Sequence, residues 1–117
     1  MASESGHLDL EVLEELKDVM EDEFVELLTT YLSDAEVKVA GLKSALAENH
    51  HENLRNFSHS FKGSSGNLGI QLLAELCAQV EALAKDERSS DAGAYIDEID
   101  AEFQLVAVEM QKIIAQQ

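Results

Sequence analysis

Among the side chains able to do chemistry, His59 has the most unusual setting. It stands in the stretch Asn56-Phe57-Ser58-His59-Ser60-Phe61-Lys62-Gly63-Ser64-Ser65-Gly66-Asn67-Leu68-Gly69. Read at about 100° per residue, Leu54, Phe57, Phe61 and Leu68 gather on one helix face, with Ser64 and Ser65 beside them. His59 falls almost diametrically opposite, flanked one turn away by Arg55, Asn56, Lys62 and Gly63, and two turns away by Glu52 and Gly66. An imidazole held toward solvent on a helix with a buried back can act as a nucleophile. Histidine's unperturbed pKa, near ~6.5, leaves a ring nitrogen lone pair available at neutral pH. Lys62 puts a cation one turn from the ring, where it could neutralise the oxygens of a transferring group. A helical glycine costs roughly 1 kcal/mol relative to alanine, so Gly63 and Gly66 on the outward face call for a reason. Clearance for another body approaching the imidazole is one. Spacing leaves a second reading open, in which Gly66 and Gly69 only end the helix and His59 is an ordinary surface histidine.

The run His59-x-x-Lys62-Gly63-Ser64, with Leu68-Gly69 following, resembles the signature of the histidine-containing phosphotransfer (HPt) family, whose members shuttle phosphoryl groups between receiver domains. The resemblance implies an all-α fold, an antiparallel four-helix bundle with an additional short N-terminal helix, in which His59 is the phosphoryl carrier and Lys62 lies beside it. Cys77 and the pair Val80-Glu81 are similar to positions where the family places a small residue, then an apolar residue followed by Glu or Gln, which implies that Glu81 lies across from His59. Positions 59 to 69 carry the specific part of the match, and the flanks agree in helix pattern. Implied partners are the receiver domains of a hybrid sensor kinase and of a response regulator. The partner is expected to bring Mg²⁺ and the acceptor aspartate, with no cofactor and no metal held by this chain. The expected docking surface surrounds His59 and takes in Arg55, Gly63, Gly66 and Glu81, together with the apolar residues Leu8 and Val12 of the first helix.

Composition narrows the choices independently. The chain has 117 residues, of which 45% are hydrophobic, enough for one domain with a core of its own and too few for a second catalytic domain. Proline is absent and Ala, Leu, Glu, Lys and Gln abound, so propensity favours helix throughout. A net charge of −16 repels nucleic acid and anionic lipid surfaces. The single Cys77 cannot close an intrachain disulfide, and no apolar run approaches the ~20 residues of a membrane span. A cytoplasmic monomer is the simplest expectation, and the initial methionine with a chain nearly filled by helices suggests a free-standing protein.

The elements follow from periodicity. Residues 1–7 read as a frayed tail, and a short helix is expected from about Asp9 to Asp18, across one end of the bundle. A long helix, about Met20 to Ala47, carries the stripe Met20, Phe24, Leu27, Leu28, Tyr31, Ala35, Val39, Leu42 and Leu46, with Gly41 placed to allow a bend. Tyr31 is expected to pack with a wet hydroxyl. Asn49 as N-cap, with Glu52 three residues on, would start the helix of His59. Adjacent His50 and His51 point some 100° apart on a helix and make no metal pair. A helix of about Ile70 to Ala84 would face Leu72, Leu73, Leu76, Cys77, Val80 and Leu83 inward, and Cys77 reads as a small core residue. After the polar loop Lys85–Asp91, Ser90 or Asp91 would cap a last helix closed by Ile96, Ile99, Phe103, Val106, Met110, Ile113 and Ile114.

Neither a Gly-rich nucleotide loop nor a carboxylate cluster able to hold Mg²⁺ stands near His59, so self-phosphorylation from ATP is not expected. The alternatives from other classes are a non-phosphorylated four-helix interaction module and a metal-dependent or phosphatase-like enzyme, which lacks a credible acid, base or metal set.

Overall fold

A computed structural model describes residues 7–117. Five α-helices follow in order: α1 (Leu10–Met20), α2 (Phe24–Ala47), α3 (His51–Asn67), α4 (Gln71–Lys85) and α5 (Gly93–Ala115), with short 3₁₀ turns at Glu21–Glu23 and Ser89–Ala92. Helix α2 packs on α3, α3 on α4, α4 on α5, and α5 returns to α2, which is the closed square of an antiparallel four-helix bundle. Helix α1 packs against α2 as the additional N-terminal helix. Its first turn is capped by Asp9, whose Oδ1 accepts hydrogen bonds from the backbone N–H groups of Glu11 at 3.1 Å and Val12 at 3.3 Å. None of the described helices is long and apolar enough to cross a membrane.

The expected stripes form the core. Leu28, Leu42, Leu54, Phe61, Ile70, Leu73, Cys77, Val80, Ile96, Ile99, Val106 and Met110 are fully buried. Helix α3 departs from expectation in detail. Its buried stripe runs Leu54, Ser58, Phe61, Ser65, and Phe57 is only half-buried. Ser58 satisfies its hydroxyl locally, donating to the carbonyls of Leu54 at 2.7 Å and Arg55 at 3.1 Å, so a small polar residue can occupy a core position. The Phe57 ring lies over Gly41, where a Cβ would come within 2.6 Å of it. Gly41 therefore makes room for an aromatic ring on the neighbouring helix. Tyr31 has no wet hydroxyl: its oxygen lies 2.8 Å from Ser65 Oγ in the core, and burial pushes its pKa well up. Leu72 is 42% exposed and does not face inward.

Three helices end on one motif, and it decides the turns. Past α3, Gly69 has φ +75°, with the Ile70 N–H donating to the Ser65 carbonyl at 2.9 Å and the Gly69 N–H to Gly66 at 3.1 Å, a Schellman pair. Past α2 the left-handed residue is Asn49, φ +52°, with His50 N–H donating to Ala45 at 2.9 Å and Asn49 N–H to Leu46 at 3.0 Å. Asn49 thus closes α2 instead of opening α3. The N-cap of α3 is His50, whose Nδ1 accepts from the Asn53 N–H at 3.1 Å. Glu87, φ +59°, closes α4 in the same way. The 3₁₀ turn after Arg88 leads into α5 through Ala92, and neither Ser90 nor Asp91 caps that helix with its side chain. Ser89, fully buried, is instead bonded to His51 Nδ1 at 2.5 Å and ties the start of α3 to the α4–α5 connection.

Residues 1–6 of the expected tail lie outside the described residues. His7, placed in that tail by sequence, is held to α5: its Nδ1 lies 2.7 Å from Glu102 Oε2 and its Nε2 3.8 Å from Glu109 Oε2. Helix α1 seats on the α3–α4 turn, because a Cβ at Gly69 would lie 3.0 Å from the Asp9 Cβ and 3.1 Å from the Val12 Cβ. Gly69→Ala should therefore destabilise the fold by roughly 1–3 kcal/mol, through left-handed strain and displacement of α1. The urea midpoint of the variant measures it, and an unchanged midpoint would show that the turn relaxes freely.

Candidate functional site

His59 sits mid-way along α3 because its helix puts Leu54, Ser58, Phe61 and Ser65 into the core and so turns the 59 position outward. Its side chain is 69% exposed. The tight Gly69 turn lays α4 antiparallel to α3, and Val80, fully buried, fixes the rotation of α4 so that Glu81 rises beside the imidazole. His59 Nδ1 lies 2.8 Å from Glu81 Oε2, and Lys62 Nζ lies 2.7 Å from Glu81 Oε1. One carboxylate therefore spans the histidine and the cation with one oxygen each.

The protonation pattern follows from this sharing. Partial burial of the Glu81 carboxylate pushes its pKa up, but hydrogen bonds from Lys62 and then His59, with their charges, outweigh burial and hold it below the ordinary carboxylate value. An ionised carboxylate can only accept, so Nδ1 must carry the hydrogen between the two groups. In the neutral ring the lone pair is then on Nε2. Lys62 lies with its side chain 38% exposed, one turn along the same face.

The expected glycines behave differently from one another. A Cβ on Gly63 or Gly66 would meet nothing within 4 Å, and both residues are exposed, so the surface before the imidazole is open. Gly69 is the residue that ends the helix. Arg55 is exposed one turn before His59 on the same face. Leu8 is 3% exposed and belongs to the core, so it cannot join a docking surface. Val12 is half-buried against Gly69 and is engaged in seating α1. The sharing of Glu81 between His59 and Lys62 was not legible beforehand, since it joins residues 22 apart through a turn. Glu81 following the buried Val80 was its one sequence signal.

Behind the site, Cys77 is fully buried, and burial, then the nearby Glu81 charge, pushes its thiol up to about 12, against a smaller opposing effect of Lys62. It takes no part in the surface chemistry. Among the described residues no group of three or more His, Cys, Asp or Glu side chains is placed to hold a metal ion.

The site is thus a solvent-facing histidine of a four-helix bundle, with a carboxylate on its inner nitrogen and a lysine alongside. The chain belongs to the Hpt domain family, which matches residues 26–109. It is similar to the crystal structure of histidine-containing phosphotransfer protein B (HptB) from Pseudomonas aeruginosa PAO1, at 36% identity over 97% of this chain and 99% of that one, with a TM-score of 0.93. The HPT domain of a sensor hybrid histidine kinase from Shewanella shares the fold, with a TM-score of 0.81 at 20% identity, over 95% of this chain and 96% of that one. No curated protein matches the chain. Its function is histidine phosphotransfer in a two-component phosphorelay.

Because the folded pKa of Glu81 is depressed, its ionised form stabilises the fold above the ordinary carboxylate range, and that contribution is lost as pH falls through the folded value. Glu81→Gln should therefore be less stable than the native chain at pH 7, and the two should converge as pH falls through the depressed Glu81 value, below the ordinary carboxylate range. Denaturant midpoints across that range measure the difference, and a gap that persists in acid would assign it to packing.

Proposed function

We propose that His59 is the phosphorylated residue and that Nε2 is the atom that carries the phosphoryl group. The observation that supports this most is the Glu81 carboxylate on Nδ1, which leaves the lone pair on the nitrogen facing away from the bundle. In the forward step the Nε2 lone pair attacks the phosphorus of an aspartyl phosphate on a receiver domain. The N–P bond forms as the bond from phosphorus to the carboxyl oxygen breaks, and the receiver aspartate leaves as a carboxylate. The ring keeps its hydrogen on Nδ1 and gains positive charge, which the Glu81 carboxylate offsets. The reverse step on a second receiver aspartate regenerates the neutral ring.

Charge on the transferring phosphoryl group must be neutralised, and Lys62, which shares the Glu81 carboxylate with the ring, is the cation this reading assigns to it. Mg²⁺ held by the partner receiver would supply further neutralisation. The open surface at Gly63 and Gly66 supports close approach by that partner. Receiver domains of a hybrid sensor kinase and of a response regulator are the partners on this reading, which puts the chain with them in the cytoplasm.

Three substitutions test the assignment. His59→Ala should keep the fold, since the side chain leaves no core cavity, and should abolish acid-labile, alkali-stable labelling by a phosphorylated receiver; retained labelling would move the carrier elsewhere. Lys62→Ala should slow single-turnover transfer by about 10-fold, below the 10²–10³ typical of an enclosed oxyanion donor because Lys62 is partly exposed. An unchanged rate would make Lys62 a solvated lysine. Gly63 is helical and unobstructed, so Gly63→Gln should hold or raise stability by up to about 1 kcal/mol. The same variant should lose transfer, because its side chain stands where the receiver must approach to within ~3–3.5 Å of the imidazole. Thermal midpoint and transfer rate measured together decide it: a variant that transfers normally would show that no partner passes close to residue 63.

A further inference from the structure

The charges of the site helices differ from those of the rest of the chain. Helix α3 carries Glu52, Arg55 and Lys62, and α4 carries Glu75, Glu81 and Lys85, three cations against three carboxylates. The whole net charge of −16 therefore lies outside the two helices that present His59. Within this neutral face Lys62 is paired with Glu81, whereas Arg55 and Lys85 make no ion pair and no side-chain hydrogen bond to any described residue. Both line one cleft of about 260 Å³ between the start of α3 and the end of α4, with His51, Glu52, Ala84 and Glu87 as the other lining residues. Its walls are fixed. Ala84 is buried, His51 is tied to buried Ser89, and the Schellman turn at Glu87 closes α4 beside it.

We propose that this cleft is a docking point for an acidic side chain of the receiver partner, held between Arg55 and Lys85 one to two helical turns from His59. The proposal rests on the phosphotransfer reading above and adds how the partner is oriented. Three observations carry it. Arg55 and Lys85 are unpaired among the described residues of a chain that has three carboxylates for every basic residue, and, unlike Lys17 and Lys112, which also lack an ion pair there, they line one cleft together. The cleft is continuous with the His59 face through Arg55. Neutrality of α3 and α4 lets a partner bring carboxylates to this face without the repulsion the remaining surface would exert. Glu52 and Glu87 in the same lining make the cleft selective: a carboxylate set against the cations is accepted, while a second acid facing either glutamate is repelled.

The test uses the full chain and the purified receiver domain, from a panel, that transfers phosphoryl to it fastest. Labelling of the native chain and of His59→Ala with phosphoramidate is measured first, because it needs no receiver and the difference between the two reports whether His59 accepts a phosphoryl group; no His59-dependent label removes the phosphotransfer reading and the cleft proposal with it. The double variant Arg55→Glu, Lys85→Glu should raise the receiver concentration at half-maximal single-turnover rate by about 10-fold or more, with the maximal rate little changed. Raising salt should narrow the gap, because these charges are exposed. The charge-conserving variant Arg55→Lys, Lys85→Arg should stay within about threefold of the native chain, and circular dichroism should show all of them folded. A half-saturation within twofold of native in the charge-reversed chain would overturn the proposal. So would a loss confined to the maximal rate, or an equal loss in the charge-conserving variant, which would assign the effect to chemistry or packing instead of charge.

Discussion

The left-handed turn at Gly69 is the constraint on which the rest of this molecule depends. A single residue at φ +75° closes α3 and reverses the chain into α4. With so short a connection the two helices can only be antiparallel neighbours, and the register between them is set by the first buried residues on either side, Ser65, Leu68, Ile70 and Leu73. That register carries Glu81 to the level of His59. Backbone space at Gly69 also receives α1 through Asp9 and Val12, so one absent side chain fixes the helix pair that bears the site and the helix that covers its end.

Glu81 converts that geometry into chemistry. Its two oxygens divide between an imidazole and an ammonium group, at 2.8 and 2.7 Å, and each interaction conditions the other. The lysine helps keep the carboxylate ionised, the ionised carboxylate fixes the hydrogen on Nδ1, and the fixed hydrogen leaves the ring lone pair on Nε2. Lys62 is meanwhile held beside the imidazole through the carboxylate they share. No residue of this triad is deeply buried, which suits a carrier that must give up its phosphoryl group as readily as it accepts it. The thiol of Cys77, four residues before Glu81 on α4, lies in the core behind this arrangement and feels its charge without taking part.

Much of the fold was legible because helix periodicity is a local property. The stripes of α2 and α5, the inward Cys77 and the number of helices follow from apolar spacing alone, since burying such a face requires neighbours of the same kind. The details that escaped concern residues with more than one local option. Asn49 is a good N-cap and also tolerates a left-handed φ, and the carbonyls left at the end of α2 drew it into the second role. Phe57 looked like core on a helical wheel, yet the close approach of α2 at Gly41 gave its ring a place at the edge, while Ser58 could go inside because its hydroxyl bonds its own helix. His7 reads as part of a tail on sequence alone, yet its anchoring depends on Glu102 of α5, nearly a hundred residues on, and Leu8, beside it, is buried.

By itself the sequence determined the helical class, the outward placement of His59, and the Lys62-Gly63 context that resembles the phosphotransfer signature, all within one continuous segment where spacing translates directly into direction. Only the tertiary structure decided what stands on the imidazole's inner nitrogen and which cations pair with carboxylates of the same chain. Those outcomes require α3 and α4 to meet in one register, and the register is a property of packing between helices, to which no single segment holds the key.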